Sequence, residues 1–247
     1  MNLGQGDPPV VDLIDAVHRG DVASLQRLLA EHAGLARARI VDRKGRSRTP
    51  LHLVTDWPGF FPNGCAVVRA LIAAGADPNA PVEGGPHSET PLHWAASSDD
   101  VDVAAELIDG GADIEAMGAS IAGGTPLDNA VAYGCWRVAG LLIARGARVE
   151  RLWHAAAMGM TSRVAAFFAS SPGPSAEEVH DAFWQACHGG HRRTAEYLLA
   201  RGADVNWIPD YANATPLEIA TSLDTGREAL VGWLRDQGAR SGRDPNK

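Results

Sequence analysis

The sequence predicts an all-α solenoid of about seven stacked helix-turn-helix units, and three observations support that fold class. A Thr-Pro-Leu opening recurs at Thr49, Thr90, Thr125 and Thr215. A Gly-Ala pair follows the apolar run that closes five of the units. The openings return about every 33 residues, which is a period typical of helical repeat proteins.

Each unit is predicted to be a pair of short helices, as the stretch from Ser88 to Glu115 illustrates. Thr90 can cap a helix through its hydroxyl and Pro91 suits the first helical position, so the first helix is expected to begin there. Apolar residues at helical spacing predict a second helix, which Asp99 is expected to cap. Gly111 is expected to end that helix in the left-handed conformation, which glycine adopts without steric cost.

A single domain is expected from residue 11 to residue 240, with less regular units at both ends. Residues 1–10 are polar and rich in glycine and proline, so they predict a flexible N-terminal tail, and we expect a C-terminal tail over residues 241–247. Two inner openings align with the others only if Glu150 and Asp181 occupy the position of the threonine. The units are expected near residues 11–46, 47–87, 88–122, 123–149, 150–176, 177–212 and 213–240.

The TPLHxAA opening at Thr90, the paired apolar residues of the second helix and the closing GADxN together resemble the ankyrin repeat. This resemblance covers about residues 12–240, and we expect a bacterial source. It implies a slightly curved stack with hairpin fingers along one edge and a concave groove lined by the first helices and the fingers. It also implies that His52 and His93 hold neighbouring repeat loops together through hydrogen bonds.

The composition argues against several classes of protein. A net charge of −8 argues against binding to nucleic acid or to an anionic membrane, which clustered cations drive. Cys65, Cys135 and Cys187 are widely spaced and include no CxxC pair, so a reducing compartment is expected rather than a disulfide framework. No apolar run approaches the roughly 20 residues that a membrane helix needs. We therefore expect a soluble, cytoplasmic protein, and we expect no cofactor.

An insertion interrupts the repeat that opens at Thr49, and function is expected where the repeats differ. The insertion runs from Thr55 to Cys65 and contains Trp57, Phe60 and Phe61. It is either a hydrophobic plug over the stack or an exposed docking loop. We favour the plug, because large apolar side chains are usually covered.

One cluster of cations, the basic patch, lies where the first finger is expected. It consists of Arg37, Arg39, Arg43, Lys44, Arg46 and Arg48. Arginine binds carboxylates and phosphates bidentately, so the patch suits a partner with acidic groups. The other interpretation, which we favour, is a solvated loop with scattered charge.

The centre of the groove is predicted to be polar and aromatic, because of the side chains that the helical period directs toward it. Trp94, Tyr133, Trp153 and Trp184 are expected to be aromatic anchors for a ligand or partner. The full set of candidate binding residues is Trp94, Ser97, Ser98, Asp100, Asp128, Asn129, Tyr133, Trp153, His154, Trp184, Gln185 and His188.

The function expected from these features is a protein-interaction module that binds a partner protein or peptide in the groove. The alternative is a small-molecule-binding protein or an enzyme, with its site around His154, Asp128 and Trp94 and with Tyr133 as a further catalytic candidate. A third interpretation is a structural subunit that dimerises through the insertion. We do not expect an enzyme. We also expect no metal site, since the sequence places no third ligand beside His188 and His191.

Overall fold

The structure is a computed structural model that describes residues 1–222 and 227–242. These residues contain fourteen α-helices, which confirms the all-α class. Strands β1 (Asn2–Gly4), β2 (Arg39–Val41) and β3 (Ser47–Arg48) form one small sheet. The helices are α1 (Pro8–Arg19), α2 (Val22–Glu31), α3 (Pro50–Val54), α4 (Gly64–Ala73), α5 (Pro91–Ser98), α6 (Val101–Asp109), α7 (Pro126–Ala132), α8 (Trp136–Ala144), α9 (Leu152–Ala157), α10 (Thr161–Ala169), α11 (Ala176–Gly189), α12 (Arg192–Leu199), α13 (Pro216–Thr221) and α14 (Glu228–Asp236).

The chain divides into two compact bodies, an N-terminal body (Met1–Arg148) and a C-terminal body (Val149–Lys247). The single domain expected over residues 11–240 stays a prediction. Among the helices in the described ranges, none combines the length and the apolar character that a bilayer span requires.

The N-terminal body is a stack of four helix pairs. The first helices α1, α3, α5 and α7 pack in sequence order, and so do the second helices α2, α4, α6 and α8. Small side chains allow this close approach, since Ala95, Ala96 and Ala130 are fully buried. The stack therefore buries faces that no single helix pair could cover alone.

The first residues of the chain form strand β1 and the start of helix α1, where a flexible tail was expected over residues 1–10. Asn2 pairs with Arg39 in parallel register, because strand β2 offers an edge with free backbone groups. The Asp7 side chain accepts a 2.8 Å hydrogen bond from the backbone N–H of Gly4. Helix α1 then begins at Pro8, inside the stretch predicted to be loose.

The C-terminal body contains the helix pairs α9–α10, α11–α12 and α13–α14. Helix α11 packs against both α9 and α13. Its start corrects the sequence alignment, because Ser175 and Glu178 form a capping box before Asp181 is reached. Helix α9 begins at Leu152, close to the opening predicted at Glu150. Most of the expected C-terminal tail, residues 243–247, lies outside the described residues.

The Thr-Pro openings act as predicted. Thr49, Thr90, Thr125 and Thr215 are each the N-cap residue of a first helix with proline at its start. Gly111 also has the expected positive φ, at 95°.

The assignment of Asp99 as a cap for α6 is wrong. Asp100 caps that helix, with its Oδ1 accepting from the N–H of Val103 at 3.2 Å. Asp99 itself adopts a left-handed φ of 56°, and its carboxylate turns to the next helix pair. There it accepts a 2.9 Å hydrogen bond from the N–H of Val138, in the first turn of α8.

Candidate partner-binding cleft

A surface cleft of about 280 Å³ in the N-terminal body, the aromatic cleft, brings several predicted binding residues together. Residues from helix α5, from the end of helix α7 and from the insertion that follows α3 line the cleft. Its lining residues are Thr55, Asp56, Trp57, Glu89, Trp94, Ser97, Ser98, Ser120 and Tyr133. Four of them, Trp94, Ser97, Ser98 and Tyr133, are predicted from the helical period.

Glu89 is the central polar residue of the aromatic cleft, and sequence reasoning missed it. Its Oε1 accepts hydrogen bonds from the backbone N–H of Ser120 at 2.9 Å and from the Asn129 amide at 2.7 Å. Its Oε2 accepts from the indole N–H of Trp94 at 3.1 Å. The carboxylate is thereby held in one position by three neutral donors.

Asn129 lies beneath the cleft and organises its floor. Its side chain is fully buried, so it contacts the lining residues rather than solvent. The amide nitrogen also lies 3.2 Å from Ser97 Oγ, and the amide oxygen accepts from Ser120 Oγ at 3.3 Å. Ser120 Oγ is in turn 3.2 Å from the hydroxyl of Tyr133. A connected network of hydrogen bonds thus positions the side chains that face the cleft.

Trp94 is held rigidly on both its edge and its face. Its ring makes an edge contact with the His52 ring, with centroids 4.9 Å apart. The guanidinium of Arg48 lies 5.9 Å from the Trp94 ring centroid and is paired with the carboxylate of Asp56. An aromatic side chain so restrained loses little conformational entropy when a partner binds.

The insertion places two aromatic side chains in solvent, so the favoured plug is wrong for them. Trp57 is 83% exposed and Phe60 is 58% exposed. Only Phe61 turns inward, where it stacks on the His18 ring at 4.5 Å. The loop is held through its backbone and a polar side chain, since Asn63 donates to the carbonyl of Gly20 at 2.9 Å. The exposed rings of Trp57 and Phe60 are therefore not needed to attach it.

Two acidic candidates of the N-terminal body are buried and serve the fold. Asp128 is 2% exposed, and its Oδ2 accepts from the N–H and the hydroxyl of Thr125 at 2.8 and 2.9 Å. Asp100 is 4% exposed and caps α6. Neither carboxylate is accessible to a partner at the surface.

The histidine of the TPLH opening has the structural role that the resemblance implies. His52 Nδ1 accepts from the N–H of Thr49, and its Nε2–H donates to the carbonyl of Glu89 at 3.1 Å. His93 Nε2 makes the matching bond to the carbonyl of Gly124 at 3.3 Å. Burial lowers the pKa of His52 to about 3, so the ring stays neutral.

Trp184 replaces this histidine in the C-terminal body and performs the same task. Its indole N–H donates to the carbonyl of Ala214 at 2.8 Å, and Ala214 precedes Thr215 as Glu89 precedes Thr90. The side chain is 5% exposed. Trp184 therefore holds two repeats together and offers little surface to a ligand.

The other candidates in the C-terminal body are largely buried. Gln185 donates to the hydroxyl of Tyr211 at 3.0 Å, and the His188 ring lies 5.2 Å from the Trp184 ring. His154 is 2% exposed and contacts the Trp153 ring, with centroids 4.1 Å apart. Within the described residues, no three His, Cys, Asp or Glu side chains are grouped in a way that could hold a metal ion.

A separate cleft of about 530 Å³ lies at the start of the C-terminal body, beside Glu150. Trp153, Phe167 and Asp181 are among its lining residues. Burial raises the pKa of the Asp181 carboxyl. Its polar and aromatic walls belong to the C-terminal body alone.

The basic patch is partly neutralised by the chain's own carboxylates. Arg39 pairs with Glu83 at 2.9 Å, Arg46 pairs with Asp42 at 2.8 Å, and Arg48 pairs with Asp56. Five of its members lie in the β2–β3 hairpin and its turn, in the place predicted for the first finger, whereas Arg37 ends a short 3-10 helix before the hairpin. The three members not named in these ion pairs, Arg37, Arg43 and Lys44, are all exposed.

Comparisons with known proteins agree with this architecture. A profile of three ankyrin repeats matches residues 13–117 and again residues 61–151, and a profile of one ankyrin repeat matches residues 181–210. An ankyrin repeat and KH domain-containing protein of Caenorhabditis briggsae is 29% identical over 177 residues, which is 68% of this chain. The match spans only 6% of that relative's length. This relative comes from a nematode, so the expected bacterial source finds no support in it.

Solved structures show the same fold. The ankyrin repeat domain of Bcl-3, described as a unique member of the IkappaB protein family, is 26% identical with a TM-score of 0.51, and the match covers 93% of this chain and 99% of that one. The ankyrin repeat domain of human ASB11 is 19% identical with a TM-score of 0.50, covering 89% and 96% of the two chains. The repeat profiles match more than half of the sequence, and the chain therefore belongs to the ankyrin repeat family.

Proposed function

We propose that the chain is a protein-interaction module that binds a segment of a partner protein in the aromatic cleft. The observation that carries this proposal is the convergence of Trp57, Trp94 and Tyr133 on one cleft. Aromatic side chains contribute much of the binding energy at protein interfaces. Trp57 and Tyr133 are 83% and 53% exposed, so their rings offer apolar surface that a partner would cover.

An enzyme centred on His154, Asp128 and Trp94 is not favoured. His154 and Asp128 are each 2% exposed, so a substrate has no access to their side chains. The aromatic cleft, at about 280 Å³, lies below the roughly 300–1,000 Å³ of typical small-molecule pockets. Its size suits one or two side chains of a partner rather than a whole ligand.

We extend the proposal to the basic patch, where acidic groups of a partner would bind. Arg43 and Lys44 supply the cations, because both are exposed and neither is paired with a carboxylate in the described part of the chain. The paired arginines Arg39 and Arg46 contribute less, since a partner would first have to displace Glu83 or Asp42.

A cytoplasmic location belongs to the same proposal. Its support is the state of the cysteines, because Cys65, Cys135 and Cys187 are all free thiols in the described part of the chain. Burial raises the pKa of the Cys187 thiol, which keeps it protonated inside the core.

Selection from a displayed peptide library, using the full chain as bait, tests the main proposal. Selected peptides are then synthesised, and their affinities are measured for wild type, Trp57→Ala and Phe60→Ala. Phe60 is the matched control, because it is an exposed aromatic residue of the same loop that does not line the cleft.

The expected result is a loss of about tenfold or more for Trp57→Ala and little change for Phe60→Ala. The proposal fails if no peptide is selected. It also fails if the two variants bind the selected peptides equally well.

A further inference from the structure

We infer that the partner segment inserts a lysine or arginine side chain into the aromatic cleft, with its cation beside Glu89 and against the aromatic rings. This inference rests on the proposed function and specifies the chemistry of the segment that binds.

The first argument is the direction of the hydroxyl protons that surround the cleft. Ser97 Oγ donates to the carbonyl of His93 at 2.9 Å, and Ser98 Oγ donates to the carbonyl of Trp94 at 3.0 Å. Thr55 Oγ1 also donates to main-chain carbonyls of its own helix turn. Each hydroxyl therefore turns its proton away from the cleft and can offer only lone pairs to an occupant.

The other polar groups that line the cleft also offer an occupant acceptors rather than donors. Ser120 Oγ donates to the amide oxygen of Asn129, so the Tyr133 hydroxyl, 3.2 Å away, is the donor of their shared bond. The indole proton of Trp94 is already given to Glu89. Among the described side chains that line the cleft, only the indole N–H of Trp57, at the exposed rim, stays available as a donor.

A cleft rich in acceptors favours an occupant that carries donors and no acceptors. Lysine, arginine and tryptophan are side chains of that kind, whereas a carboxylate or phosphate would face lone pairs on most sides. Charge then favours lysine and arginine over tryptophan, since the two charged residues that line the cleft among the described residues, Asp56 and Glu89, are both acidic.

Glu89 is the charge that an incoming cation would meet. Its three hydrogen-bond donors, Trp94, Ser120 and Asn129, are all neutral, and no Lys, Arg or His is paired with it in the described part of the chain. Its negative charge is thus uncompensated by a local ion pair. The three donors also hold the carboxylate in place, so little reorganisation is needed when a cation approaches.

The aromatic rings provide the second attraction. A cation within about 6 Å of an indole centroid is stabilised by the ring face, and Arg48 already lies at 5.9 Å from that of Trp94. Arg48 is paired with Asp56, which reduces its repulsion of a second cation. Trp57 and Tyr133 line the same cleft with exposed rings.

The net charge of −8 supports the same inference at longer range. An acidic chain attracts a basic segment and increases the rate of encounter, with a dependence on ionic strength.

The test uses the peptides that bind wild type and lose affinity for Trp57→Ala. Each Lys in such a peptide is replaced by norleucine, which keeps the chain length and removes the charge, and each Arg by citrulline. One replacement is expected to weaken binding about tenfold or more, and the same replacement should matter little, within about threefold, to the Glu89→Gln variant. Raising the salt from about 0.05 M to about 0.5 M should weaken binding of the unmodified peptide only.

The outcomes separate the two proposals. If Trp57-dependent peptides contain no Lys or Arg, or tolerate the neutral replacements, the inference is overturned while the proposed function stands. If no peptide depends on Trp57, both are overturned. Should Glu89→Gln not fold, which its thermal unfolding would reveal, the neutral peptides measured on wild type decide the matter alone.

Discussion

The backbone N–H of Phe60 donates a 2.9 Å hydrogen bond to the carboxylate of Asp100, which also caps helix α6 through the N–H of Val103. One side chain thereby joins the insertion to the repeat that follows it. Because Trp57 lies on the same insertion, the wall of the aromatic cleft depends on a residue that does not line it.

Replacing Asp100 by alanine should therefore lower stability and loosen the insertion. The lost cap and the unpaired amide are expected to cost about 1–2 kcal/mol in the free energy of unfolding, measured in urea. Hydrogen exchange at the Phe60 amide should accelerate. Asp100→Asn is the control, since its amide oxygen can still cap α6. Unchanged protection of the Phe60 amide in Asp100→Ala would contradict the assignment.

The equivalence of Trp184 and the TPLH histidine gives a second prediction. Trp184→Phe removes the bond to the carbonyl of Ala214 and should destabilise the protein by about 1–3 kcal/mol, because that carbonyl is left without its partner. Trp184→His should regain part of the loss, as its Nε2–H can reach the same acceptor. Equal unfolding midpoints for the two variants would show that packing alone, and not the hydrogen bond, matters at this position.

Alanine variants of two glycines with positive φ distinguish backbone strain from steric overlap. Gly20 (φ 62°) ends α1, where a Cβ atom would overlap the carbonyl oxygen of Pro62, whereas Gly34 (φ 86°) has nothing within 4 Å. Gly34→Ala should cost about 1–2 kcal/mol from the left-handed backbone alone. Gly20→Ala should cost clearly more, because the insertion must also move. Denaturant titration of both variants measures the difference, and equal costs would mean that the loop yields freely.

Stability should fall in mild acid because of the buried histidines. The ordinary histidine pKa is 6.5, while burial lowers that of His52 to about 3 and that of His188 to about 4. At a pH between the lowered pKa of the folded state and the ordinary pKa of the unfolded state, the unfolded chain binds a proton at each histidine that the folded chain does not bind. Each such histidine therefore lowers the free energy of unfolding by up to about 1.4 kcal/mol for every pH unit below about 6.5. Urea titrations between about pH 7.5 and about pH 4.5 measure the slope. His52→Asn should flatten it, and an unchanged slope would show that other groups dominate.

The parts of the fold that depend on local chemistry were predictable from the sequence. The Thr-Pro pair marks the start of a helix, as at Thr90 and Pro91, and Gly111 marks the end of the next one. Both signals can be read from the sequence because a helix cap acts within a single turn. Ser175 and Glu178 carry an equally local signal, the capping box of α11, and the alignment to the repeat period obscured it.

The candidate site was only half predictable, because its polar chemistry depends on distant residues. Glu89 bonds to Ser120 and Asn129, which lie 31 and 40 residues away in the sequence. One signal was present, since Glu89 is the single acidic residue directly before a Thr-Pro opening. The exposure of Trp57 was not predictable from the general preference of aromatic side chains for burial, because the backbone N–H of Phe60 and the side chain of Asn63 hold the loop.

The bond from Val138 to Asp99 means that helix α8 begins with a hydrogen-bond acceptor supplied by the preceding repeat. These repeats are therefore not interchangeable modules. If α7 and α8 were moved into another array without the loop that contains Asp99, helix α8 would lose the acceptor for the N–H of Val138. The segment that could be exchanged between arrays therefore does not coincide with one helix pair. It begins at the turn between the two helices of one pair, where Asp99 lies, and ends at the corresponding turn of the next pair.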